Sequence, residues 1–266
     1  MRDTVVRYLS LWWSFFSNTL TRDMEFKANF IGSLIIDAVY YGVHFFFFSI
    51  IFSYVDVLGQ FTAADVKIFL VITFLADTVY MMLFSGNLFM LNRLIVSGDL
   101  DFALIRPVNG QFMVSFRYVR SYAIISLGIL GLLLGKLIAE NPNEISYYNI
   151  LLFLLSFFIG QLVWYSIDFM IGCLAFWFKN FTVGGWLSRE FLKFAERPDS
   201  IYTGLLRRTM FTVLPMALLS SIPARMLIYG PGWDFLLWQI FIAIIFMILS
   251  RLVWKTGIQK YESASS

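Results

Sequence analysis

The stretch GDLDFALIRPVN, residues 98–109, decides how the rest of the chain is read. Two aspartates, an arginine and a proline stand among Leu100, Phe102, Leu104 and Ile105. Long apolar runs flank it, residues 66–91 before it and 118–139 after it. Even on a lenient scale, an ionised side chain at the centre of a bilayer costs about 2.5–3.5 kcal/mol. A segment that carries Asp99, Asp101 and Arg106 together therefore lies in water. A charged, half-apolar connection between two membrane-length runs marks a chain that crosses a membrane and turns back.

Composition agrees. The 266 residues are 59% hydrophobic and 19% aromatic, and only 14% are charged, against about 25% in soluble domains. Thirty phenylalanines and a mean hydropathy of +0.76 exceed what one soluble core can bury. The chain reads as an all-α integral membrane protein. Its single cysteine, Cys173, lies in an apolar run and excludes an intramolecular disulfide. The net charge of +3, without a basic block, gives no sign of nucleic-acid binding. The start, MRDTVVRYLSLWW, is too short and interrupted for a signal peptide, and no small-residue cleavage site follows.

A bilayer takes about 20 apolar residues per helix. Residues 29–55, 66–91, 118–139, 148–178 and 233–254 qualify, and a sixth span lies within 179–229. Tyr147 and Tyr148 open the fourth run, and Trp233 and Trp254 bracket the last, as aromatic anchors do. No internal repeat and no soluble domain interrupts residues 1–266, which read as one transmembrane unit ending in a disordered tail, residues 262–266. Orientation follows from lysine and arginine. Asp56, Asp65, Glu140 and Glu144 fall on one side. Arg2, Arg7, Arg22, Lys27, Arg93, Arg106, Arg117, Arg120, Arg251, Lys255 and Lys260 fall on the other, with Lys67 and Lys136 as exceptions. The basic side is cytoplasmic, and both termini with it.

Residues 1–28 are not a span. Val5, Leu9, Trp12, Trp13, Phe16 and Leu20 recur at helical spacing and make one apolar face, so this segment reads as an amphipathic helix in the cytoplasmic interface. Residues 93–110 form a cytoplasmic loop. Ser97 or Asp99 can cap a helix there and Pro107 stops it at Arg106, giving about two turns. That helix is either a structured connector or a surface for a soluble partner.

SGDLDFALIRPVN, residues 97–109, closely resembles the coupling segment of ABC-2 family permeases, the membrane subunits of ATP-binding-cassette exporters. Gly98, Leu100, Asp101, Leu104, Arg106, Pro107 and Val108 match the pattern, and Asp99 lies within it. A second stretch, RPDSIYTGLLRRTMFTVLPMALLSSIPARMLIYG (residues 197–230), is similar to another segment of the same subgroup through Pro198, Ile201, Tyr202, Leu214, Pro215, Pro223 and Ala224. The resemblance implies a type V exporter-like fold of six transmembrane helices with a cytoplasmic coupling helix. It also implies a second permease subunit, identical or not, and a separate ATPase that binds ATP and Mg. It places the chain in a bacterial inner membrane, where it exports a lipid-linked, glycan or amphipathic cargo.

The region 179–229 sets two rules against each other. Charge counting makes residues 179–208 cytoplasmic, with 209–229 as the fifth span. The resemblance implies a short fifth span at about 181–197, followed by a re-entrant pair of helices over about 198–229 that dips from the outer face. Pro198, Pro215 and Pro223 favour broken helices, and the resemblance implies that with Ile201 and Tyr202 they make an outer gate. That reading puts Arg207 and Arg208 outside and Arg189, Glu190 and Lys193 at membrane depth, facing protein or water.

No catalytic set and no metal set is visible. GLLLGKLI, residues 131–138, lacks the first glycine and the hydroxyl of a phosphate loop, so Lys136 reads as a snorkelling span end. His44 reads as a buried, hydrogen-bonded histidine, and Phe45 to Phe48 as lipid-facing bulk. Asp37, Asp77 and Asp168 lie inside apolar runs and must be paired (Arg120 is one partner), line a cargo path, or couple protons. The last role would belong to a rival reading, an ion-coupled secondary transporter.

Overall fold

A computed structural model describes residues 2–141, 145–178, 181 and 184–261, with the backbone alone for 2–4 and 89. Glu144, Lys179 and the tail 262–266, on which expectations were placed, lie outside these residues, as do positions 182 and 183 of the expected fifth span. The protein is 80% helical. Helix α1 (Arg2–Glu25) leads into α2 (Lys27–Phe52). A small antiparallel hairpin follows, with β1 (Val57–Leu58) paired to β2 (Phe61–Thr62). Thr62 then starts α3 (Ala63–Tyr80) with a reciprocal cap. Its hydroxyl accepts from the Asp65 amide while the Asp65 carboxylate accepts from the Thr62 amide at 2.9 Å.

Helix α3 runs into α4 (Gly86–Ser97) through a π-turn at Met81–Ser85, making one 35-residue rod over Ala63–Ser97. A π-turn frees carbonyls of the helical ladder, and here other groups use them. The Arg120 amide donates to the Met82 carbonyl at 3.2 Å. Asn87 Nδ2 bridges the Leu83 and Tyr118 carbonyls at 3.1 and 2.8 Å, and the Tyr118 amide donates to Asn87 Oδ1 at 2.6 Å. This use of residues 118–120 explains why the third apolar run becomes helical only at α7 (Ala123–Ala139), later than its hydropathy implies.

Between α4 and α7 the chain makes two short helices, α5 (Asp101–Leu104) and α6 (Gly110–Phe116). The expected two-turn helix after a Ser97 or Asp99 cap is corrected to a single turn of 4 residues. Gly98 adopts a left-handed φ of 80° and ends α4 instead of opening α5. Ser97 Oγ meets the Asp99 carboxylate at 2.7 Å and caps nothing.

Helix α8 (Tyr147–Cys173) continues through a 3-10 turn, Leu174–Phe176, and is the buried axis of the bundle. Helix α9 (Gly184–Ala195) is 12 residues long. A short turn, Asp199–Ile201, leads to α10 (Gly204–Thr209) and α11 (Ala217–Ile228), and α12 (Trp233–Lys260) runs farther than the hydropathy maximum. Gly160 on α8 allows a close crossing with α11, because a Cβ there would stand 2.9 Å from the Leu218 carbonyl. Gln239 of α12 completes that crossing, donating to the carbonyls of Leu218 (2.7 Å) and Ser156 (3.0 Å) and accepting from Ser156 Oγ.

The bundle has two distinct ends. The hairpin 57–62 shares one with the starts of α3, α8 and α12 and the end of α11, as the Gln60–Arg225, Gln60–Tyr229 and Asn149–Leu227 contacts show. At the other end α1 lies against residues 107–112, and the last turns of α8 and α12 meet at Phe176 and Trp254. Helices α2, α8, α12 and the α3–α4 rod are long and apolar enough to cross a membrane, while α7 and α11 are shorter apolar helices. The chain is a multi-pass, all-α membrane protein.

Candidate functional site

Three groups of side chains stand out. The first is the segment 98–109, at the α1 end. Leu100 is fully buried and Leu104 is half-buried, its Cδ2 close to Gly110. They anchor the turn and do not face a partner. Phe102 and Ile105 point the other way, 62% and 76% exposed. Asp99 and Arg106 are exposed beside them, Arg106 Nε donating to the Phe102 carbonyl at 3.2 Å. Helix α1 grips the far side: Arg7 Nη2 donates to the Pro107 carbonyl at 2.8 Å, the Asn109 amide donates to Tyr8 Oη at 3.1 Å, and Tyr8 meets Phe112 edge-on. Tyr261, just past α12, adds a further tie. Its burial, with Asp101 alongside, raises the phenol above its ordinary pKa. Of the matched residues, then, Leu100, Leu104 and Pro107 position the turn. The surface it offers is Phe102 and Ile105, whose i, i+3 spacing opposite the leucines was the sequence signal for it.

The second group lies within the bundle. Asp37 accepts from Ser126 Oγ at 3.1 Å and shares a cavity of about 10 Å³ with Asp77, Tyr41, Thr78, Met81 and Tyr122. That is about the room one water needs. Arg120, the expected partner, is close enough to attract both carboxylates, yet its Nη1 contacts Met81 Sδ (3.4 Å) and Tyr122 Oη (3.5 Å). Asp168 does not join them. It accepts from Tyr80 Oη, and the Tyr80 ring stacks on Trp164 at 3.8 Å. Glu196, which the sequence reading did not single out, receives Tyr40 Oη and lies 3.4 Å from His44 Nε2. His44 is thus hydrogen-bonded, as expected, but to a carboxylate 152 residues away. Phe48 is buried at 4% exposure while Phe46 and Phe47 are open, so the phenylalanine run is lipid-facing only in part.

The third group sits at the hairpin end. Asp199 has no exposed surface. Its Oδ1 accepts from Arg225 Nη2 (2.8 Å) and Nε (3.1 Å), its Oδ2 accepts from Arg207 Nη2 (2.8 Å), and its amide donates to Ser221 Oγ. Arg225 also donates to Gln60 Oε1 at 2.6 Å and lies over the Phe61 ring. Pro198 starts the turn Asp199–Ile201, Tyr202 ends it, and Pro223 lies inside α11 two residues before Arg225. Pro215 lies at the opposite tip, where the chain turns between α10 and α11 beside α12; there Trp238 Nε1 donates to the Phe211 carbonyl at 2.8 Å. The segment 199–228 thus enters from the hairpin end and returns to it. Arg207, whose charge argued for the other end, is paired with Asp199.

Helix α9 carries a charged outer face. Lys193 Nζ meets Glu190 Oε1 at 2.6 Å, and Arg189 and Arg197 are exposed nearby.

A family described as "ABC-2 family transporter protein" matches residues 38–265. No curated protein and no solved structure matches the chain.

Proposed function

The chain belongs to the ABC-2 transporter family and is a membrane permease of an ABC transporter; from that premise we propose how it works. Membrane proteins of this family generally act with ABC ATPase subunits. We read residues 93–110 as the site where a separate ATPase, holding ATP and Mg, docks on the cytoplasmic side. The observation that carries this reading is the pair Phe102 and Ile105, standing out of a one-turn helix that Leu100 and the half-buried Leu104 anchor from the other side. Apolar side chains held rigidly at a water-facing end suit a protein groove. The grip of α1 supports transmission of force, since motion of the turn is passed to α1, to α6 and along the α4–α3 rod.

The remaining topology follows. Six spans are formed by α2, the α3–α4 rod, α7, α8, α9 and α12, with α10 and α11 as a re-entrant outer gate held shut by Asp199. Both termini are cytoplasmic, in a bacterial inner membrane. The exposed charges of α9 cannot face lipid, which supports a second permease subunit with an aqueous cargo path between the two copies. Cargo moves outward, and an amphipathic or lipid-linked cargo suits the polar and apolar mixture along α2 and α9. Asp37 and Asp77, which would carry ion coupling in a secondary transporter, act here as polar packing around a water-sized cavity.

The test replaces Phe102 and Ile105 with aspartate in one variant. Capture of the partner ATPase from mild detergent should fall more than about tenfold, and transport with it, while the thermal midpoint of the permease stays unchanged. Undiminished ATPase capture would remove the docking assignment.

A further inference from the structure

Helix α2 and the two residues that follow α9 line an open cavity of about 210 Å³, formed by Val43, His44, Phe47, Phe48, Glu196 and Arg197. Its floor is the Glu196 carboxylate, bonded by Tyr40 and His44 from α2. That carboxylate is satisfied, so it makes no demand on a ligand. Arg197 differs: it is exposed, lies beside Tyr202, and no carboxylate stands within ion-pairing distance of it among the described residues. Behind the floor stand Asp77 and Asp37, two carboxylates set against the two guanidiniums of Arg120 and Arg189. The lining is therefore neutral when His44 is neutral, and carries one positive charge when it is protonated. A cation would meet Arg197 at the mouth; an anion is attracted there.

A free inorganic anion fits poorly, because three of the six lining residues are valine or phenylalanine. The cavity also opens onto the bare face of α2, where Val39, Val43, Phe46 and Phe47 are 50% to 67% exposed. We propose that this cavity binds a singly anionic amphiphile, with the acidic group on Arg197 and the start of its chain along Val43, Phe47 and Phe48. A guanidinium fork suits a phosphate or carboxylate group, and a chain leaving along the bare face of α2 meets Val39, Val43, Phe46 and Phe47. The inference narrows the cargo class proposed above and rests on that reading for its purpose. The binding is measured without nucleotide or ATPase, so the two can fail separately.

The experiment uses the delipidated full chain in detergent, titrated with phosphatidylglycerol and followed by native mass spectrometry. Phosphatidylcholine with the same chains and inorganic phosphate are run alongside. Phosphatidylglycerol should bind about tenfold more tightly than phosphatidylcholine, a typical gain from one charge-assisted contact. Millimolar phosphate should not displace it. Arg197→Ala should erase the preference, and Arg208→Ala, away from the cavity, should keep it. Should Arg197→Ala fail to fold, Val43→Trp fills the cavity from an exposed position and should lose bound lipid. Equal binding of both lipids, displacement by phosphate alone, or full lipid retention by Val43→Trp would each overturn the proposal. So would a change of oligomeric state in Val43→Trp without loss of lipid, since the cavity would then be a contact between copies.

Discussion

The two ends of the bundle solve opposite problems. At the hairpin end a buried carboxylate is matched, with Asp199 between the half-exposed Arg207 and the buried Arg225 and closed over by Gln60 and Phe61. At the α1 end the roles are exchanged. Leu100 is buried, Phe102 and Ile105 stand exposed, and Arg106 and Asp99 remain in water. A buried ion pair adds little net stability over apolar packing, but it is costly to break from one side. It therefore suits a closure with two discrete states. An exposed apolar pair costs little when free and gains on contact, which suits a surface that another protein must find. Under the proposed function, one end is built to be shut and the other to be held.

The sharpest way to break the comparison is to ask whether the ends face opposite sides of a membrane. In a Cys173→Ala background, Arg208→Cys should react with a membrane-impermeant thiol reagent on intact cells, and Phe102→Cys only after permeabilisation. Labelling of both from the same side would abolish the distinction and restore the charge-counting topology. Next in size, Asp199→Ala leaves Arg225, only 8% exposed, without its counter-charge. The expected loss is about 3–5 kcal/mol, seen as a thermal midpoint about 10 °C lower in detergent. A shift under a few degrees would mean the carboxylate does not hold the segment. The smallest effect sharpens the same point. The Arg207 side chain is 42% exposed in its pair, so Arg207→Ala should cost no more than about 1 kcal/mol. Equal losses for Asp199→Ala and Arg207→Ala would show that the outer arginine, and not the buried one, carries the closure.

The membrane class and the long helices were legible because hydropathy over about 20 residues is a local property. So was the segment 98–109, whose charges exclude it from lipid. Its detail was not. Gly98 could equally open or end a helix, and only the packing of Leu100 beneath α4 decides that it ends one. The hairpin-end carboxylate was invisible for another reason. Asp199 and Arg225 are 26 residues apart, and no local pattern relates them, so charge counting treated each arginine as free and missed that Arg207 is paired with Asp199. Glu196 was missed likewise, being joined to Tyr40 and His44 only by the fold. The π-turn leaves no residue signature in Met81–Ser85; its cause is the backbone of Tyr118 and Arg120, supplied by another part of the chain.

The brevity of α9 bears on how the protein is made. Its 12 residues cover about 18 Å, well short of a hydrocarbon layer about 30 Å thick, and they include Arg189, Glu190 and Lys193. Helix α11, also 12 residues, is no longer. Neither can be released into lipid by the insertion machinery as a finished helix during synthesis. Both must wait beside α8 until α12 has emerged, since Gln239 of α12 is what binds the Leu218 carbonyl. On the proposed topology, the last third of the chain enters the bilayer as one cooperative unit. A nascent chain stalled before Trp233 is a species that quality-control proteases should recognise.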